Sequence, residues 1–207
     1  VDWGEMFSFL SILFFFVYLC DTYGVLEFEP AGLSGEDILI IASNETIASS
    51  VLGEDLRWLG KEGSFFTVDG SRDVPLQGYS IGLSGNKKPI VFCTGFTESI
   101  LKYPGFMRTL VENGHPIFSF DLRGQSFSGT TAWEDSEMKG RIGHVDTIED
   151  YVDDLHEFFT SHVIQNIAEE QKDKVVYIGA SLGGLIGSLY QARTGNFNSL
   201  VLSAPCF

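Results

Sequence analysis

Four short apolar runs constrain the fold of this chain more than any other feature of its sequence. They occupy residues 89–93, 116–120, 174–178 and 199–203. Nearly continuous apolar runs of this length are typical of parallel strands that are covered on both faces of a sheet. The runs therefore predict a mostly parallel sheet at the centre of the molecule.

Two further strands and three helices complete the pattern. Residues 64–68 and 77–81 have the composition of strands, and turn residues follow each of them. Helices are predicted at residues 100–113, 147–169 and 182–193. The resulting order, β-β-β-α-β-α-β-α-β, predicts an α/β fold with helices on both faces of the sheet, in a domain spanning residues 63–207.

The ends of two of these helices carry recognisable signals. Thr147 and Asp150 have the spacing of a capping box, and Gly195 lies where the third helix should end. One face of the second helix collects the apolar residues Tyr151, Leu155, Phe158, Phe159 and Val163. This face is expected to pack on the sheet.

An uncharged run of fifteen residues, from Met6 to Cys20, is the least polar part of the sequence. A secretory signal contains about 7–15 apolar residues and a bilayer span about 20, so the length favours a signal peptide or signal-anchor within residues 1–26. We therefore expect a secretory or membrane-associated protein; the alternatives are a buried helix and a cytoplasmic location. Residues 27–62 are interpreted as a mostly helical extension, with a helix near residues 45–59.

The composition argues against some classes of partner. The formal net charge is −15, without a basic cluster, so binding to nucleic acid is not expected. Three cysteines give neither a metal-binding spacing nor a disulfide framework. We expect no metal and no cofactor.

A Gly-x-Ser-x-Gly motif at residues 179–183 is the main candidate for chemistry. Ser181 lies between a predicted strand and a predicted helix, which is the setting of a nucleophile on a sharp, strained turn. Gly179 and Gly183 remove side chains that would collide in such a turn. The helix N-terminus adds positive potential, and the amide of Leu182 is placed to stabilise an oxyanion. A tight packed turn without catalytic function is the alternative.

A second oxyanion donor is expected in the loop after the strand at 89–93. Gly95 permits a tight turn there, and the amide of Phe96 is predicted to point to the same place as that of Leu182. The loop that follows the next strand contains Asp121, Arg123 and Gly124. We interpret these three residues as a scaffold that locks the loop beside the site.

The four histidines at positions 115, 144, 156 and 162 all precede Ser181. In hydrolases with this motif the acid and the histidine follow the serine, but residues 182–207 contain no Asp, Glu or His. His144 is a weak candidate for a substitute base. We therefore expect the acid and base beyond Phe207, in a domain cut off after about its sixth strand, and negligible esterase activity from residues 1–207 alone.

Several segments together resemble the lysophospholipase L2 and monoacylglycerol lipase branch of the α/β-hydrolases, grouped as serine aminopeptidase S33. The resemblance covers about residues 65–207 and is carried by residues 94–103, 121–129, 143–145, 150–155, 179–184 and 203–205. Two positions depart from the pattern of that branch. Thr94 replaces the usual histidine, and Ser126 replaces the second glycine of an Asp-x-Arg-Gly-x-Gly motif.

The resemblance implies hydrolysis of a fatty-acyl ester through an acyl-enzyme on Ser181, with a lipid ester as the partner. Hydrolysis of peptides from their N-terminus is an alternative, because the same triad supports both reactions. A third interpretation is a non-catalytic hydrolase-like binding module.

Overall fold

The computed structural model describes residues 32–44, 47–130 and 145–206. The run from Met6 to Cys20 and His144 lie outside these ranges. Within them, no helix combines the length and the apolar character that crossing a membrane requires.

A six-stranded sheet forms the centre of the molecule. Its strands are β1 (Ser64–Asp69), β2 (Pro75–Ile81), β3 (Ile90–Cys93), β4 (Ile117–Phe120), β5 (Val176–Ala180) and β6 (Ser199–Ser203). The order across the sheet is β1-β2-β4-β3-β5-β6. β2 is antiparallel to both β1 and β4, whereas β4, β3, β5 and β6 are mutually parallel. The predicted mostly parallel sheet is confirmed.

Five α-helices are described: α1 (Gly35–Ala42), α2 (Val51–Glu62), α3 (Pro104–Glu112), α4 (Ile148–Phe158) and α5 (Leu182–Thr194). A 3₁₀ turn (Ile100–Lys102) precedes α3, and a π-helical turn (Phe159–Val163) continues α4. Gly195 ends α5 with a φ of 69°, a left-handed conformation that glycine adopts without steric cost. The predicted ends of α5 are therefore confirmed.

Two apolar cores lie on the two faces of the sheet. Along β3, Ile90 and Phe92 belong to one core and Val91 and Cys93 to the other, as expected when successive side chains of a strand alternate. The core that contains Phe92 also holds buried residues of α1, α2 and α3. The opposite core holds those of α4 and α5, including the predicted apolar face of α4. Helices cover both faces of the sheet, as predicted.

The prediction of one continuous helix over residues 147–169 is wrong in its second half. Thr147 and Asp150 form the expected cap, with the Thr147 N–H donating to Asp150 Oδ2 at 3.1 Å. Regular helix ends at Phe158, where the Thr160 and Ser161 hydroxyls donate to the carbonyls of His156 and Glu157. Such side-chain bonds compete with the helical backbone pattern and favour its termination.

The helix predicted near residues 45–59 is displaced, because α2 occupies Val51–Glu62. Helix α1 was not predicted. Its signal is a capping box at Ser34, whose N–H donates to Asp37 Oδ2 at 2.9 Å. The Ser-x-x-Asp spacing is equivalent to the Thr-x-x-Asp pattern that marks the start of α4.

Candidate active site

Ser181 lies on the turn between β5 and α5, at the carboxyl edge of the parallel strands. Its backbone has φ 47° and ψ −116°, and the residue is exposed. A non-glycine residue in such a conformation costs about 1–3 kcal/mol and persists only where its surroundings fix it. The Ser181 N–H donates to the carbonyl of Ser203 at 2.9 Å, and the Cys206 N–H donates to the Ser181 carbonyl at 3.1 Å. The neighbouring strand β6 and the residues after it thus hold the turn.

The two glycines of the motif are required by close backbone contacts. A Cβ on Gly183 would lie 2.5 Å from the carbonyl oxygen of Cys93 and 2.6 Å from that of Thr94. A Cβ on Gly179 would lie 2.6 Å from the carbonyl oxygen of Gly183. Real Cβ atoms do not approach backbone oxygens this closely, so any larger residue at either position forces the backbone to move.

The loop after β3 lies directly against Ser181. A Cβ on Gly95 would lie 3.1 Å from the Ser181 Cβ, and Gly95 is buried. The parallel pairing of Cys93 with Gly179 brings the ends of β3 and β5 to the same edge. Phe96 follows Gly95 and is 50% exposed. Leu182 is the first residue of α5, so its N–H has no carbonyl acceptor within that helix.

Glu98 occupies the far side of the same loop. Its Oε2 accepts hydrogen bonds from the Gly95 N–H at 2.9 Å and the Tyr103 hydroxyl at 2.7 Å. Its Oε1 accepts one from Lys102 Nζ at 2.5 Å. Partial burial raises the pKa of Glu98, but the bonds from Lys102, Tyr103 and Gly95 outweigh burial and hold the pKa below its ordinary value. Glu98 is therefore an ionised, fixed acceptor.

Thr94 stands where the resemblance predicts a histidine. Its side chain is buried, and no hydrogen-bond partner for its hydroxyl is found within the described part of the chain. An unpaired buried hydroxyl destabilises a fold by about 1–3 kcal/mol. The residue lies directly before Gly95, so this cost arises at the edge of the candidate site.

Asp121 is buried at the end of β4 and connects two neighbouring segments. Its carboxylate accepts the Tyr79 hydroxyl at 2.6 Å and the Ile100 N–H at 3.1 Å. Burial raises the pKa of Asp121 to about 6, although these hydrogen bonds act in the opposite direction. Its partners tie β2 and the start of the 3₁₀ turn to the end of β4.

Arg123 forms a buried ion pair with Asp154 of α4. The Arg123 Nε donates to Asp154 Oδ2 at 2.6 Å, and both side chains are almost completely buried. Asp154 Oδ1 also accepts the Ser71 N–H at 2.9 Å. The pair joins three segments of the chain: the β4 loop, α4 and the β1–β2 turn.

The turn after Arg123 keeps a left-handed backbone at both positions where the related pattern has glycine. Gly124 has φ 68°, and Ser126 has φ 49°. The Gly124 N–H donates to the carbonyl of Gly129 at 2.8 Å, which closes the turn. Ser126 therefore adopts, with strain, a left-handed conformation that glycine would adopt without steric cost.

The described histidines lie away from Ser181. His115 contacts the Lys88 carbonyl before β3, and His162 stacks on Phe66 with ring centroids 3.5 Å apart. His156 lies beside Tyr190. Tyr190 is nine residues along α5 from Ser181, about 13 Å at 1.5 Å per residue. Within the described ranges, no histidine is placed to take a proton from Ser181.

The structure thus brings together Ser181, Leu182, Gly179, Gly183 and Gly95, with Phe96 next in the chain. Asp121, Arg123 and Gly124 form the adjoining loop and make their contacts with other segments. Sequence reasoning missed Glu98, although it is the only charged residue in the loop sequence TGFTES.

Comparison with known proteins agrees with this geometry. Residues 84–207 match the family described as Serine aminopeptidase, S33. Lysophospholipase L2 of Escherichia coli K12 is 29% identical over 151 residues, which cover 72% of this chain and 41% of that protein. This chain therefore spans about two fifths of the length of that relative.

Solved structures share the fold at lower sequence identity. An esterase from Pyrococcus furiosus superimposes with a TM-score of 0.54 at 17% identity, covering 70% of this chain and 51% of the esterase. An epoxide hydrolase from Vigna radiata superimposes with a TM-score of 0.52 at 17% identity, covering 69% of this chain and 40% of the epoxide hydrolase. The fold therefore serves different reactions, and the reaction must be argued from the site. The family match over residues 84–207 agrees with the sheet order and the turn at Ser181. The chain therefore belongs to the serine aminopeptidase S33 family of α/β-hydrolases.

Proposed function

We propose that this chain carries the nucleophile and the oxyanion hole of a serine hydrolase that cleaves fatty-acyl esters. The observation that carries the proposal is the backbone of Ser181, which is strained, exposed and held between β5 and α5. Strain of this kind is maintained at functional sites. A turn that served only packing would have no need of an exposed hydroxyl in this conformation.

The proposed reaction follows from the groups around Ser181. Its Oγ attacks the ester carbonyl while a base removes the hydroxyl proton, and the carbonyl oxygen becomes an oxyanion. The amides of Leu182 and Phe96 stabilise this charge. The C–O bond to the alcohol then breaks, the alcohol leaves with the proton, and water hydrolyses the acyl-enzyme to release the fatty acid and free Ser181.

The base and the acid are proposed to come from residues that follow this chain in a longer protein. Two observations support this: residues 182–207 lack Asp, Glu and His, and the described histidines lie elsewhere. Residues 1–207 alone are therefore expected to show negligible esterase activity. Hydrolysis of a short acyl ester by this chain, abolished by Ser181→Ala, would contradict this expectation.

A lysophospholipid or a monoacylglycerol is the proposed substrate. The similarity to lysophospholipase L2 supports a single acyl chain on a glycerol-based alcohol. The exposed Phe96 beside Ser181 supplies apolar surface where an acyl chain would enter. No metal or cofactor is required, because the attacking group is a side-chain oxygen activated by a base.

Peptide hydrolysis is the second candidate, favoured by the description of the S33 family. The two functions are separated by offering the full-length protein matched esters and N-terminal amides. A monoacylglycerol or lysophospholipid should be cleaved at least tenfold faster, in kcat/KM, than an aminoacyl amide. The reverse preference would assign the site to peptides.

Labelling with a fluorophosphonate tests the nucleophile directly. In the full-length protein that contains this chain, the probe should modify Ser181, and Ser181→Ala should abolish both labelling and ester hydrolysis. Ser188→Ala is the matched control, because Ser188 lies on α5 with its hydroxyl bonded to the Gly184 carbonyl. An unlabelled Ser181 in the folded full-length protein would refute the proposed function and favour a non-catalytic module.

A further inference from the structure

Side chains hold two of the three amides of residues 95–97, in the loop after β3. The Gly95 N–H donates to Glu98 Oε2 at 2.9 Å, and the Thr97 N–H donates to Gln125 Oε1. The amide of Phe96 lies between them and has no hydrogen-bond acceptor in the described ranges. Among the amides of residues 95–97, the Phe96 N–H is therefore the one that no described group accepts, and it lies next to the residue that contacts Ser181.

Both acceptors are themselves fixed. The Glu98 carboxylate is bonded to Lys102, which ends the 3₁₀ turn, and to Tyr103, which directly precedes α3, and its side chain is 21% exposed. Gln125 is 1% exposed, and its Nε2 donates to the Tyr151 hydroxyl of α4 at 3.3 Å. That bond orients the Gln125 amide so that its oxygen faces Thr97.

The hydrogen bond from the Thr97 N–H to Gln125 Oε1 also maintains an unfavourable backbone conformation at Thr97. Thr97 has φ 59°, a left-handed conformation that costs a β-branched residue more than most. A strained residue relaxes unless a specific contact holds it. Relaxation at Thr97 would rotate the peptide unit on its N-terminal side and change the direction of the Phe96 peptide with it.

We propose that Glu98 and Gln125 are positioning residues that direct the Phe96 N–H to the oxyanion, an inference that rests on the proposed function of Ser181. Neither side chain touches the reacting atoms. Glu98 holds the Thr94–Gly95 peptide and Gln125 holds the Phe96–Thr97 peptide. These two peptides flank the one that carries the Phe96 N–H. The two act from opposite sides of the sheet, Glu98 through the residues directly before α3 and Gln125 through α4.

The consequence is a loss of rate without a loss of binding. An oxyanion donor acts in the transition state, so its misplacement lowers kcat and leaves KM nearly unchanged. A displacement of about 1 Å reduces the rate about 10²-fold. Glu98→Met and Gln125→Met, which remove the acceptor at similar side-chain length, should each lower kcat by about this factor.

Glu98→Gln is the rescue variant, because its amide oxygen still accepts the Gly95 N–H although the charge opposite Lys102 is lost. It should keep kcat within about threefold of the wild-type value, well inside the 10²-fold loss from misplacement. Glu112→Met is the matched control, since Glu112 is a 62% exposed α3 residue paired with Arg108. It should leave kcat and KM unchanged.

The variants are compared in the full-length protein with a soluble p-nitrophenyl acyl ester, and circular dichroism checks folding. Loss of kcat in both Met variants, with rescue by Glu98→Gln, supports the proposal. Wild-type kcat in Glu98→Met, or an equal loss in Glu98→Gln, overturns it while labelling of Ser181 keeps the proposed function. Should Gln125→Met fail to fold, the Glu98 pair alone decides. Absence of Ser181 labelling in the wild type overturns the proposed function and this inference with it.

Discussion

Replacing Ser181 by glycine should give a more stable protein than replacing it by alanine, whereas the order should be reversed at Ser188. Both residues belong to the α5 region, but Ser181 has φ 47° and Ser188 lies inside the helix. Alanine is the reference at each position, because it removes the hydroxyl and keeps the Cβ. The comparison of glycine with alanine therefore isolates the backbone term.

The expected magnitudes follow from the two conformations. An alanine at position 181 would have a positive φ, which lowers the free energy of unfolding by about 1–3 kcal/mol, and glycine avoids most of this strain. Glycine loses about 0.4–1 kcal/mol through the greater entropy of the unfolded chain. The Ser181→Gly variant should thus exceed Ser181→Ala by about 1 kcal/mol in free energy of unfolding, whereas Ser188→Gly should fall below Ser188→Ala by about 1 kcal/mol.

Urea-induced unfolding, followed by far-UV circular dichroism, measures all four variants. A change of about 1 kcal/mol moves the thermal midpoint by about 2–4 °C in a domain of this size, which provides a second readout. If Ser181→Gly is no more stable than Ser181→Ala, the turn stores no strain. The backbone of Ser181 then gives no reason to assign it as the nucleophile.

Three further predictions concern the residues of the scaffold and the site. Asp154→Ala breaks the buried ion pair with Arg123 and should lower the free energy of unfolding, measured in urea, by about 3–5 kcal/mol. Asp153→Ala is the control: it removes an ion pair whose two side chains are each 44% exposed, and it should lower the free energy of unfolding by at most about 1 kcal/mol. Burial raises the pKa of Asp121 from its ordinary value of 3.8 to about 6. The wild type should therefore lose about 2 kcal/mol relative to Asp121→Asn as the pH rises from 4 to 7; a pH-independent difference between the two unfolding curves would contradict the raised pKa. Thr94→Val replaces an unpaired buried hydroxyl by a methyl group and should raise the free energy of unfolding by about 1 kcal/mol; a thermal midpoint below that of the wild type would show that the hydroxyl has a partner.

Much of the fold could be read from the sequence because its signals are local. The four apolar runs and the two further predicted strands agree with the six observed strands to within two residues at each end. The glycines around Ser181 mark the turn between β5 and α5. The contact between Gly95 and Ser181 also followed from the sequence. In parallel strands the carboxyl ends meet at one edge, so two loops that follow such strands are brought together.

What the sequence did not predict depends on long-range contacts. Gln125 reaches Thr97 across 28 positions, and Arg123 reaches Asp154 across 31. The local sequence does not show which partners these side chains reach. The π-helical turn after Phe158 was missed for a related reason, because an apolar face continues through Val163 while hydroxyl groups end the regular helix.

The pairing of β3 with β5 has a consequence for how the site arises during folding. Cys93 pairs with Gly179, so the two halves of the site are joined by a contact between residues 86 positions apart. Contacts of such sequence separation close late, after local helices and hairpins have formed. A newly made chain therefore holds no oxyanion loop against Ser181 until the centre of its sheet is complete, and local separation of these two strands suffices to abolish the site.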